Sequence, residues 1–383
     1  MVSLNDKVTV GIKDFDFGKQ FETEKRILTI CGCYPDMNSN FFNWKSFRAS
    51  LTFTFSILLF LSMFLLIFFG DFNDLVEDGA LFVIQTSLIL KLCQFMLKGK
   101  MLIGLADSLK NPLFYNFSTA ALKNIASNVN FTKNIGNFYR SLVIIFSIAN
   151  VLAMFKKKRQ LPLNCWVPFD LNEDIYYYST HVFQVLTLLL SGYVNTSMDI
   201  INFMLITIVC CQFDIVVEKL KSIDFKELGE DKTLKDIIKQ HIEILMFAHN
   251  VNAMYTNIVF IQCTSSGLSI CLSGLQTLKV SPGSSKFFAN SSCFLSMIVQ
   301  VGYYCWFGHA VMIKSTDVGD ACYTTNWHDS DIKIRKMLFI IMERAKIPVT
   351  LTGGFFTLSL ATLTAILKSA YSYFALLQQV YED

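Results

Sequence analysis

The chain has 383 residues, 53% of them hydrophobic and 16% charged, with 36 Phe against 6 Pro, a net charge of +3 and a mean hydropathy of +0.44. Soluble domains carry nearer a quarter charged residues, and here the apolar residues gather in long uncharged runs, so the composition describes an integral membrane protein. A small, scattered positive charge, without a Gly-rich phosphate loop or a zinc-ligand spacing, excludes nucleic-acid binding and soluble-enzyme chemistry.

A bilayer core about 30 Å thick takes about 20 helical residues. Seven stretches answer to that length, at 49–70, 79–97, 141–155, 175–213, 255–278, 287–307 and from 348 to the C-terminus. The polar segment 1–46 precedes them and lacks the apolar core of a cleaved signal. The second stretch contains Lys91. The third is short and draws on Phe138 and Tyr139. The fourth stays apolar past Asp199 and outlasts a bilayer, which predicts a helix projecting out of the membrane. Period-two alternation is absent, and lipid leaves backbone groups no partner outside their own segment, so the spans are helices. The eleven Cys, mostly in or beside apolar runs, read as small hydrophobes rather than a disulfide framework.

Charge fixes the expected orientation. Lys and Arg number 25 in the N-terminal segment and the connections 98–140, 218–243 and 314–346, against 6 in the alternate connections. The positive-inside tendency places the N-terminus in the cytoplasm, and seven crossings place the C-terminus outside. The basic cluster at 156–159 opposes this and is accommodated by snorkelling beside a short span. G-protein-coupled receptors have the inverse orientation, with prolines inside later helices. Here Pro35, Pro112, Pro162, Pro168 and Pro282 sit in connections and Pro348 opens the last span.

The fold expected is all-α integral membrane, with seven transmembrane helices. Its parts are the cytoplasmic segment 1–46, helices one to four over 47–217, cytoplasmic anchor helices over 218–257, helices five and six over 258–307, a further anchor helix in 308–347 and the final span, 348–383. Segments 218–243 and 331–346 interleave apolar and charged residues, as helices seeking a partner surface do. Either they bundle and join subunits, or they form a solvated loop with membrane-edge helices. Gly353 and Gly354 weaken helix continuity after Pro348 and separate the helix before them.

In the last span one helical stripe runs through Thr352, Phe355, Ser359, Thr362, Ile366, Ser369, Tyr373, Leu376 and Val380, turning from hydroxyl-bearing to apolar, with Gln379 beside Val380. Such a stripe suits a water-filled path closed by an apolar ring, and equally suits ordinary packing by small hydroxyl residues. One helix cannot enclose a pore, so the channel reading requires several subunits around an axis. Lys368 and Lys91, inside spans, are functional candidates or snorkelling residues.

The outer halves of the spans offer a site for a small apolar molecule, or plain helix packing. These residues are Phe82, Val83, Thr86 and Ser87 in the second span, Ser147, Asn150 and Met154 in the third, Tyr177, Tyr178, His181 and Val185 in the fourth, and Ser291, Phe294 and Ile298 in the sixth. His181 has no second ligand at helical spacing, so no metal and no cofactor is expected.

The run Ser-Ala-Tyr-Ser-Tyr-Phe-Ala-Leu-Leu from Ser369 to Leu377 resembles the C-terminal signature of insect odorant receptors. Trp327, the Arg-Lys-Met-Leu run at Arg335, Met342-Glu-Arg, Pro348 and the Gly353-Gly-Phe-Phe tract fit that family too. The resemblance implies a ligand-gated, nonselective cation channel in the plasma membrane of olfactory neuron dendrites, tetrameric, with the last helices around a central pore and a cytoplasmic anchor. It implies a gate near Leu376, Gln379 and Val380, with Ser369 and Tyr373 along the pore, and a volatile odorant bound among the outer residues named above. The connection between helices four and five is short for the family's co-receptor, which implies a tuning subunit assembling with that co-receptor. Ser372-Tyr373, five residues and Gln379 also approach the gustatory-receptor ending, from which Ser372 and Val380 depart. A metabotropic receptor is a rival reading. A transporter reading finds no internal repeat, no paired broken helices and no carboxylate cluster for ion coupling in this sequence.

Overall fold

The computed structural model describes residues 15–35, 44–69, 72–153, 161–225, 230–282 and 285–382. Its helices are α1 (Glu22–Ile30), α2 (Trp44–Phe69), α3 (Phe72–Leu97), α4 (Gly99–Ser108), α5 (Thr119–Ala153), α6 (Asp174–Ser222), α7 (Glu230–Lys279), α8 (Ser285–Tyr323), α9 (Ile332–Ala345) and α10 (Leu360–Glu382). Among the described residues, five carry stretches long and apolar enough to cross a membrane: Phe47–Phe69, Gly79–Leu97, Asp174–Ser222, Lys232–Lys279 and Leu360–Gln379. The expected third and sixth spans fall on α5 and α8, whose 35 and 39 residues mix polar with apolar positions. The third looked short because it is the end of a helix that begins at Thr119. The basic cluster at 156–159 lies outside the described residues.

The 49 residues of α6 and the 50 of α7 run about 75 Å at 1.5 Å per residue, more than twice a bilayer core. α6 is enclosed by α5, α7 and α8, with α1 and α2 also packed against it. Val194, Met198, Ile201, Phe203, Met204 and Ile208 are all buried there. A helix apolar all round needs such an enclosure, which is why its sequence shows no single face.

The N-terminal segment packs on the 112–117 turn. Phe17 lies 5.4 Å from the Tyr115 ring, and Arg140 of α5 holds the buried Glu24 of α1 at 2.6 Å. Burial, with Cys31 adjacent, pushes the Cys33 thiol up to about 12. The N-terminal half of α7 packs against the C-terminal end of α6, burying Leu220, Ile223, Leu234 and Ile237. Along α9, Ile334, Leu338 and Ile341 face inward, while Ile332, Phe339 and Ile340 are left exposed.

The last span differs from its expected extent. It begins at Leu360, because residues 352–357 form an antiparallel hairpin pairing Thr352 with Thr357 and Gly353 with Phe356. Thr352 and Phe355 of the sequence stripe therefore lie on the hairpin, and Ser359 caps α10, its Oγ accepting the Thr362 amide at 3.2 Å. Gly354 sits at φ +68°, a conformation other residues rarely adopt, so the glycine pair makes a turn and not a bend. Asn252 of α7 accepts the Thr352 amide at 2.7 Å, and Ser315 of α8 accepts that of Val349 at 2.9 Å. Leu358, fully buried, lies so close to Gly308 of α8 that a Cβ added there would be 2.3 Å from its own Cβ.

Candidate functional site

Lys91 lies in the C-terminal third of α3 with no exposed surface. It does not snorkel. Its ammonium donates to Asp199 Oδ1 at 2.6 Å, Asn195 Oδ1 at 2.7 Å and Gln262 Oε1 at 2.7 Å, which uses all three of its protons. Asp199 is served as fully: Tyr304 donates to Oδ1 and Gln300 to Oδ2, each at 2.7 Å. Gln262 passes its own amide proton to Ser266 at 2.8 Å.

Helical geometry assembles this cluster. Asn195 and Asp199 on α6, Gln262 and Ser266 on α7, and Gln300 and Tyr304 on α8 are each spaced four apart, so every pair stands on one face of its helix. On α3, Ser87 stands one turn before Lys91 and takes the Ser265 hydroxyl of α7 at 3.0 Å. Two bare charges in a low-dielectric interior would cost several kcal/mol each; pairing them, bonding the other two ammonium protons and giving both carboxylate oxygens a donor offsets that cost. Four helices are thereby tied at one level. Asn195, which opens an Asn-Thr-Ser sequon, has its side-chain oxygen committed to Lys91.

Sequence reasoning took Lys91 as a functional candidate or a snorkelling residue, named no partner for it, and passed over Asp199 as an interruption of an apolar run. Opposite charges in two otherwise uncharged spans were the available signal, since neither is tolerable there without a partner.

The outer-half residues fall into separate groups. Phe82 stacks on Phe60 at 5.2 Å and packs against a small apolar cluster of Leu59, Met63 and Leu163. The segment after α5 closes over that cluster, with the Leu163 backbone bonded both ways to the Gln184 side chain and the Trp166 amide to Ser62. Val83 and Thr86 are half-buried beside it, and Ser87 is buried. On α5, Ser147 is buried, its hydroxyl on the Val143 carbonyl at 2.9 Å. The Asn150 side chain and all of Met154 lie outside the described residues. Of the α6 set, Tyr177, His181 and Val185 are buried, with Tyr177 and His181 rings 5.7 Å apart, whereas Tyr178 is 41% exposed. Ser291, Phe294 and Ile298 on α8 are half-buried. Phe294 and Phe374 of α10 meet over Gly274 of α7, each within 3.6 Å of where a Cβ on that glycine would stand.

On α10 the inward face is Leu363, Ile366, Leu367 and Ala370, packed on the core. Ser369, Tyr373, Leu376 and Gln379 face out, as does Lys368. The Val380 side chain lies outside the described residues. Only 6% of the most apolar window of this helix is buried, against 83% for α6.

These features define an all-helical, multi-pass membrane protein with a polar, charge-paired centre and a nearly uncovered last span. Its fold matches the insect olfactory receptor OR5 from Machilis hrabei at a TM-score of 0.76 over 94% of this chain and 98% of that one, with 16% identity. A second structure of that receptor, in complex with eugenol, matches equally at 15% identity. The 7tm Odorant receptor family matches residues 71–371, and the chain belongs to that family, one of insect olfactory receptors and not of enzymes. Relatives include Odorant receptor Or2 of Anopheles gambiae, 30% identical over 39% of each chain. Odorant receptor 9a of Drosophila melanogaster is 27% identical over 57% of this chain and 56% of its own. The matched stretches thus span about half or less of those relatives' length.

Proposed function

We propose that the protein is an odorant-tuning subunit of a nonselective cation channel, assembled as a tetramer with the family's co-receptor in the dendritic membrane of olfactory neurons. Seven helices cross the bilayer, α2, α3, α5, α6, α7, α8 and α10, with the N-terminus in the cytoplasm and the C-terminus outside. The observation that carries this reading is the outward face of α10. An apolar span that buries so little of itself, and turns Ser369, Tyr373, Leu376 and Gln379 away from its own subunit, is suited to stand beside its counterparts around an aqueous path. Leu376, with Gln379 and Val380, closes that path at rest. The exposed Ile332, Phe339 and Ile340 of α9, bordering an open groove of about 480 Å³, support a cytoplasmic contact between subunits.

A volatile, largely apolar ligand binds in the outer half, among the groups on α3, α5, α6 and α8 described above, and opens the channel by binding the open arrangement better than the closed one. The eugenol complex of the OR5 receptor supports a ligand of this class. Co-expression with the co-receptor in oocytes, and recording during application of eugenol and a panel of alcohols, esters and monoterpenes, tests the proposal. Odorant-evoked cation current is expected; silence across the panel with the subunit at the surface would contradict it.

A further inference from the structure

The Lys91 cluster stands on the same helices as both the residues proposed to meet the ligand and those that hold the hairpin at the start of α10. Ser87 precedes Lys91 by one turn. Phe294 and Ile298 precede Gln300 within two turns of α8, and Gly308, packed against Leu358, follows Tyr304 by one turn. On α7, Val259 stands three residues before Gln262 and touches Gly353, where an added Cβ would be 2.9 Å from its Cγ1. Phe260 beside it meets the rings of Phe355 and Phe356 at 5.5 and 6.2 Å.

We propose that Lys91 and Asp199 are positioning residues for gating, joining α3, α6, α7 and α8 into one body that carries a ligand-driven displacement of the outer helix ends to the 352–357 hairpin. This inference rests on the proposed channel function. The physical basis is the all-or-none character of a buried ion pair. With three acceptors around one ammonium and three donors on one carboxylate, partial separation leaves an unsolvated charge, so the four helices move together or the cluster breaks. Plain side-chain packing lacks that property, because apolar contacts yield gradually to small shifts.

Removing one charge alone strands the other, and such a subunit is expected to fail in assembly whatever its role in gating. The informative variant exchanges both at nearly constant volume, Lys91→Met with Asp199→Asn, since a neutral pair of similar size is often tolerated in the fold. Each subunit is co-expressed with the co-receptor, surface density is measured by biotinylation, and resting and saturating currents are recorded with the eugenol and volatile panel. The double variant is expected at near wild-type surface density, with the ratio of evoked to resting current reduced about tenfold. If it does not reach the surface, Tyr304→Phe, which removes one donor from Asp199 and keeps both charges, is the test, with an expected loss of about threefold. An unchanged ratio in the variant that reaches the surface overturns the inference and leaves the proposed function standing. A wild-type subunit silent to the whole panel overturns the proposed function, and this inference with it.

Discussion

The centre of α6 and the length of α10 are both apolar helices, yet they are held in opposite ways. The α6 window is 83% buried and carries an aspartate neutralised by a lysine from another span; the α10 window is 6% buried and keeps its polar side chains on its outer face. The first spends its surface on holding the subunit together, and the second leaves its surface free. Residues at the α6 level should therefore control whether the subunit forms and holds its helices as one body, and residues on the outer face of α10 what passes beside it in the assembled protein.

The largest expected effect comes from splitting the central pair. Lys91→Met or Asp199→Asn alone should cost about 3–5 kcal/mol by stranding one charge, seen as loss of monodisperse protein after detergent extraction. A wild-type elution profile for either would mean that the pair is not buried as described. Next is Gly308→Ala, whose methyl would overlap Leu358 and shift the hairpin. A loss of about 1–3 kcal/mol, read as a lowered midpoint of thermal aggregation, is expected there, and no change would detach α8 from the start of α10. Leu376→Ser should alter stability by no more than about 0.5 kcal/mol, because the side chain is 60% exposed, while raising resting conductance in assembled channels. A leak-free Leu376→Ser channel would remove Leu376 from the gate. The smallest effect is at the N-terminal segment. Cys33, with its thiol near 12, should resist maleimide at pH 8 in the folded protein. The thiol ionises near 9 when unfolded, so its contribution to stability is complete below pH 9 and is lost as pH rises from 9 to about 12.

What was legible beforehand follows the same division. Long uncharged runs marked the spans because lipid forces backbone satisfaction within each segment, and Gly353 with Gly354 marked the break ahead of α10. The hairpin itself was missed: Thr352, Phe355 and Ser359 fall at helical spacing with the residues after them, and periodicity alone does not register a two-residue strand. The central cluster was missed because its partners are far apart in the chain. Lys91 and Asp199 are 108 residues apart and Lys91 and Gln262 are 171 apart, so their pairing follows only from how the helices pack. The outer-half candidates were chosen by depth and side-chain composition, which do not tell the buried Tyr177 from the exposed Tyr178.

The division between a sealed centre and an open last helix is tested most directly by thiol accessibility along α10. Subunits bearing Ser369→Cys, Tyr373→Cys, Leu376→Cys, Gln379→Cys or Ala370→Cys are co-expressed with the co-receptor and exposed, during odorant-evoked current, to a membrane-impermeant methanethiosulfonate applied from outside. Progressive block is expected for the first four, with Ala370→Cys and the wild-type subunit unaffected. Block at Ala370→Cys with the four outward positions silent would contradict the account.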